Sequence, residues 1–214
     1  MDPEYRQSSA RRELEIHRAA ETGTGVHVKD RSTGHVAYYA GHYVADRYPD
    51  VVLYGGYDST GPRLAQADFI QHSRDFEISI GDSRFHATDQ SDTVRCAGGG
   101  LLHEPMYRFE VKSNDGTVRK LYFQKDHKFF AGIVHNPPLY YRLIDEETEG
   151  IRAVYNENKT GSSKTLKGVL SFWHHLDETA EIACLTVLLS LKERFRRHLR
   201  HKGFVGSPLS DQAK

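Results

Sequence analysis

Residues 180–191 read AEIACLTVLLSL, with nine of twelve apolar in an otherwise polar chain. As a helix this stretch rises roughly 18 Å, too little to cross a bilayer. At 100° per residue Ile182, Ala183, Cys184, Leu185, Val187, Leu188, Leu189 and Leu191 point in every direction. A helix that is apolar all round needs protein on all sides. Whatever the rest of the chain forms must therefore enclose this helix.

The rest reads as strands. Phe76-Glu77-Ile78-Ser79-Ile80 and Tyr107-Arg108-Phe109-Glu110-Val111 alternate apolar and polar residues, as half-buried antiparallel strands do. Turn chemistry separates such runs at Asp30–Gly34, Asp58–Pro62, Ser113–Gly116 and Asp145–Gly150. A further strand is expected over about 165–173. The spacing gives roughly ten to twelve strands, as in a sandwich or barrel. A barrel closed around the helix buries its whole circumference and leaves no sheet edge.

Asp177 is a suitable N-cap for the helix, with Glu178 and Glu181 at the positive end of its dipole. Gly203 suits its C-terminal stop. Residues 1–23 hold five acids, four arginines and few large apolar groups, and read as a disordered or weakly helical arm, with a transient helix over 9–20. The expected division is this arm, a barrel over 24–203 with its helix over about 178–202, and a disordered tail over 204–214.

The strand, turn and helix order resembles the tubby C-terminal-like fold, and more specifically the small LURP-one-related proteins common in fungi. The segments that carry the resemblance are DFEISIGD (75–82), LYYRLIDEETEGIRAVYN (139–156), and the apolar helix followed by KERFRRHLR. It spans about Gly25 to Lys202. It implies a mostly β fold, an antiparallel barrel of about twelve strands around a central, buried C-terminal helix. It also implies a binding role, with phosphoinositides as the ligands of tubby proper. No lysine-arginine pair in mid-barrel matches the phosphoinositide pocket there, so no ligand residue carries over.

Composition narrows the function classes. The 29 basic residues balance 29 acidic ones, which argues against a nucleic-acid footprint over the whole surface. Two cysteines, Cys96 in an expected loop and Cys184 in the helix, make no disulfide framework. The first residues contain no apolar core of a signal peptide, so an intracellular, cytoplasmic protein is expected, peripheral at membranes if it meets them.

Candidate chemistry is sparse. Gly81-Asp82-Ser83 invites comparison with serine hydrolases, but a hairpin turn accounts for it. A hydrolase would need Ser83, a histidine and an aspartate to converge in space. His174-His175 are neighbours that a strand sends to opposite faces, and His198 and His201 lie among arginines that repel a cation. Gly161–Thr165 lacks the glycine spacing of a phosphate loop, and Gly98-Gly99-Gly100 reads as a plain connection. The aromatic pairs Tyr38-Tyr39, Phe129-Phe130 and Tyr140-Tyr141 are each expected to give one core ring and one surface ring. No catalytic residue, metal or cofactor is assigned.

The basic run after the helix is the sharpest functional candidate. Residues 192–202 hold six Lys/Arg and one Glu. Such clusters beside an apolar element bind anionic lipids, at about 1 kcal/mol per cation near the surface. Cations at a helix C-terminus also complement the dipole, so the same pattern has a structural explanation. Lys192, Arg194, Arg196, Arg197 and Arg200 are the candidate lipid-binding residues. The expectation is a non-enzymatic, monomeric binding module that associates with anionic membrane lipids, with no nucleic-acid partner. The alternatives are a lipocalin-like carrier of a small apolar ligand, although the only Trp is the late Trp173, and a purely structural or interaction protein.

Overall fold

The computed structural model describes residues 10–19, 25–43, 49–81, 90–97, 105–113, 115–125, 140–157 and 165–201. Among the described residues twelve strands precede one helix: β1 (Arg12–Arg18), β2 (Val26–Asp30), β3 (Val36–His42), β4 (Val51–Gly55), β5 (Arg63–Phe69) and β6 (Phe76–Ile80) come first. They are followed by β7 (Gln90–Ala97), β8 (Met106–Lys112), β9 (Val118–Lys125), β10 (Tyr140–Asp145), β11 (Ile151–Glu157), β12 (Leu166–Phe172) and α1 (Glu178–His201). Each strand pairs antiparallel with the next, and β1 closes the barrel on β12.

The turns form where their residues predict. Asp58 Oδ1 accepts from the Thr60 amide at 2.8 Å and Asp30 Oδ1 from the Ser32 amide at 3.0 Å. Gly116, at φ 85°, reverses the β8–β9 hairpin, and its amide donates to Ser113 O at 2.9 Å.

Every strand sends residues inward to one apolar core, among them Leu14, Val28, Leu53, Phe76, Phe109, Phe123, Leu143, Tyr155 and Leu170. The other half of that core is α1. Every residue from Ala183 to Leu191 is buried. A helix covered on all sides, in a fold whose described residues offer only one closed sheet, runs inside that sheet. Each large apolar side chain so buried contributes roughly 1.5–3 kcal/mol. Thr186 and Ser190 are buried with it; their hydroxyls donate to the carbonyls of Ile182 and Thr186, both at 2.8 Å.

Asp177 caps the helix, its Oδ1 accepting from the Ala180 amide at 2.8 Å. Arg12 of β1 pairs with Glu181 and, at 3.1 Å, with Asp30 of β2, so the helix start is tied to the two strands beside the closure.

Three expectations change. Residues 12–18 are not part of an arm: RELEIHR is β1, with Leu14 and Ile16 inward and Glu13, Glu15 and His17 between them. Its pairing with β12 and β2 supplies the order that its own sequence lacks. Cys96 lies in β7 rather than in a loop. Tyr38 and Tyr39 do face opposite sides of β3, yet both are buried, and so are Tyr140 and Tyr141 of β10. The outer ring, Tyr39, is covered by His27 and Tyr54, with ring centroids 5.7 Å and 6.2 Å away. Phe129-Phe130, the expected arm up to residue 9 and the tail over 204–214 lie outside the described residues.

Candidate anion-binding site at the barrel mouth

The last turns of α1 emerge at one mouth of the barrel. Tyr43 just after β3, Asp50 just before β4, Phe69 at the end of β5, and Ser73 and Asp75 before β6 meet them there. The helix carries Lys192, Arg194, Arg196 and Arg197 to that rim. Arg200 belongs to α1 as well, but its side chain lies outside the described residues.

The four described cations are each held by the fold. Arg196 donates to both carboxylate oxygens of Glu193, at 2.6 Å each. Arg197 donates to Glu193 Oε1 at 2.9 Å and to Tyr43 O at 2.5 Å, and it pairs with Asp50. Arg194 donates to Asp75 O at 2.8 Å and to Ser73 O. The Phe69 ring at the end of β5 lies against both guanidinium groups, with centroid distances of 5.2 Å to Arg194 and 4.9 Å to Arg197.

Glu193 is the hub. Its side chain is only 1% exposed. Burial pushes its pKa up, but the hydrogen bonds from Arg196 and Arg197 and the nearby charges outweigh burial and hold the carboxyl below its ordinary range. Burial pulls the Arg194 guanidinium down from its ordinary value. Asp50 also accepts from the Phe69 amide at 2.7 Å, so a single aspartate fixes both the β5 end and Arg197.

Lys192 differs from the arginines. Its amine donates to the hydroxyl of Tyr155, a β11 residue that is fully buried. Nζ also lies over the Tyr155 ring, 4.4 Å from its centroid. Tyr155 in turn donates to Lys167 O at 3.1 Å.

Chemically, the mouth presents guanidinium groups in fixed directions, with Arg196 31% exposed and His198 exposed. Lys192, Arg194, Arg196 and Arg197 are set against two directly bonded carboxylates, Glu193 and Asp50. The basic run was visible in the sequence, and Glu193 could have been found as the acid three and four residues before Arg196 and Arg197. Asp50, Tyr43, Ser73 and Tyr155 gave no such signal.

The remaining motifs contribute no site among the described residues. Asp82 and Ser83, Gly98–Gly100 and Gly161–Lys164 lie outside them. His174 and His175 are both exposed. No group of three metal-ligating side chains gathers among the described residues, and no helix there is long and apolar enough to cross a membrane. Compared with protein-family models, with curated proteins and with solved structures, the chain matches none.

Proposed function

We propose that this protein is a non-enzymatic binding module of the tubby C-terminal-like class that meets anionic membrane lipids, phosphoinositides above all, through the barrel mouth at the end of α1. One observation supports this most: the basic residues that follow the apolar helix are concentrated at a single rim, where Glu193 and Asp50 fix their directions. Pre-oriented guanidinium groups lose little freedom when they bind a phosphate. Attachment through a few such groups is weak and sensitive to salt. The helix-filled interior gives the carrier alternative no support, because a carrier needs an empty apolar lumen.

A second reading has its own observation. Arg194, Arg196 and Arg197 are all bonded within the fold, so the run is also a clasp that anchors the helix to the rim.

Co-sedimentation with phosphatidylcholine vesicles, with and without a phosphoinositide, separates the two. Binding is expected only with the phosphoinositide, weakening as salt rises. Arg196→Gln with Arg200→Gln should reduce it by roughly fivefold per cation, the equivalent of about 1 kcal/mol each. Thermal unfolding of the same variant verifies the fold. No binding by the wild type, or binding unchanged in the variant, leaves the clasp as the role of the run.

A further inference from the structure

The rim that Arg194 and Arg197 reach also carries an exposed apolar residue. Ile70 follows Phe69 in the short connection from β5 to β6 and is 37% exposed. That connection is tightly folded: the Ile70 amide donates to Asp75 O at 3.3 Å, and the Ser73 amide to Ile70 O at 3.4 Å. Arg194 holds it from the helix side through Ser73 O and Asp75 O. From the other side, the Cys96 amide of β7 donates to Asp75 Oδ1 at 2.8 Å. The hairpin tip is thus fixed in place, with Ile70, His72 and Arg74 exposed on it.

Strand register sorts the charges around this tip. Phe69 of β5, Phe76 of β6 and Val94 of β7 stand side by side in one row. On the mouth side of that row lie Arg74 and Arg95, both exposed, and Arg108, directly opposite Arg95 on β8. On the far side lie Glu77, Asp92 and, two residues beyond Arg108, Glu110. Like charges directly opposite each other cost stability. Glu146 offsets Arg108 at 3.3 Å, whereas Arg74 and Arg95 form no ion pair among the described residues. The rim acids are engaged elsewhere, Asp50 and Glu193 by arginines and Asp75 by the Cys96 amide.

One exposed isoleucine is ordinary on a protein surface. On a rigid tip, beside cations without counter-charges and with the acids set back from it, it matches the interface of an anionic bilayer. A hairpin already ordered loses little freedom on entering it. We propose that the β5–β6 hairpin is the membrane-inserting edge of the mouth, where Ile70 enters the acyl boundary of an anionic bilayer and Arg74 and Arg95 meet its headgroups. The inference rests on the lipid reading above and adds an orientation to it, with the β5–β7 side of the mouth towards the membrane. Arg194 then acts indirectly, by holding the carbonyls of the hairpin.

Tryptophan quenching tests this in phosphatidylcholine vesicles that contain a phosphoinositide and carry bromine on their acyl chains. The one natural Trp, Trp173, follows β12 at the opposite end of the barrel, where Arg12 meets both Phe172 and the helix start. Wild-type fluorescence should therefore be unchanged, and Ile70→Trp should add a quenched signal. Ile70→Asp should sediment with the vesicles about tenfold more weakly, as loss of one buried apolar side chain requires. Arg74→Gln with Arg95→Gln should weaken binding roughly fivefold per cation. Vesicle-bound Ile70→Trp without quenching, or Ile70→Asp that binds like the wild type, overturns the insertion and leaves the lipid reading standing. Failure of the wild type to sediment overturns both.

Discussion

Nδ1 of His42 stands 3.8 Å from Oε2 of Glu193, with the two side chains 8% and 1% exposed. Burial pushes the imidazole down to about 4 from its ordinary 6.5, and Arg196, Arg197 and Lys192 add to that, against the pull of Glu193. Between pH 4 and 6.5 the unfolded chain therefore holds a proton on this histidine that the folded chain does not. Stability must rise with pH across that window, by up to about 3 kcal/mol. Glu193 acts in the same direction lower down: its stabilisation is present above the ordinary carboxylate pKa of 4.5 and is lost as pH falls through its depressed folded value. Urea midpoints measured from pH 6.5 to 4 should fall steadily, and His42→Gln should flatten the upper part of the curve. A wild-type midpoint that does not move would refute a buried neutral His42.

Gly168→Ala should be among the costliest single changes on the sheet. The added carbon meets Tyr155 Oη at 2.4 Å and the Asn156 carbonyl oxygen at 2.5 Å, and the backbone contact cannot yield by a rotamer change. A loss of about 1–3 kcal/mol is expected from the overpacking, measured by denaturant titration. Stability within a few tenths of the wild type would show that Tyr155 does not lie over Gly168.

Leu185→Ala removes a side chain that is 1% exposed inside the barrel and should cost about 2–5 kcal/mol in thermal or chemical unfolding. Next to it, the Cys184 thiol is fully buried, and burial raises its pKa. Under native conditions a thiol reagent should modify the part-exposed Cys96 and spare Cys184 until the barrel opens. Prompt reaction of both would place the helix outside.

Asp177→Ala removes the oxygen that accepts from the Ala180 amide and should cost about 0.5–2 kcal/mol. Asp177→Asn should recover most of it, which a pair of melting curves can check.

The parts of this fold that were legible in the sequence depend on near neighbours. The apolar circumference of 182–191, the β6 and β8 alternations and the Asp58 and Asp145 turns all arise within a few residues. β1 was missed because RELEIHR has just two large apolar side chains among charges. Its order comes from β12, with Ser171 donating to Glu13 Oε1 across 158 positions of chain. The mouth divides in the same way. The cations stand together in sequence, whereas Lys192 finds Tyr155 across 37 positions and Arg197 finds Asp50 across 147. Such partners follow from the closing of the barrel, which no local pattern encodes.

The order of elements has a consequence for synthesis. All twelve strands leave the ribosome before the helix that fills them. Until then the nascent sheet has an apolar inner face with nothing to cover it, and β1 waits for its partner β12. Long-range closure of this kind is slow, and surface left open meanwhile is prone to association. In this chain the filling of the barrel comes last, and a chain ended before residue 178 would display an unfilled apolar sheet to the chaperones around it.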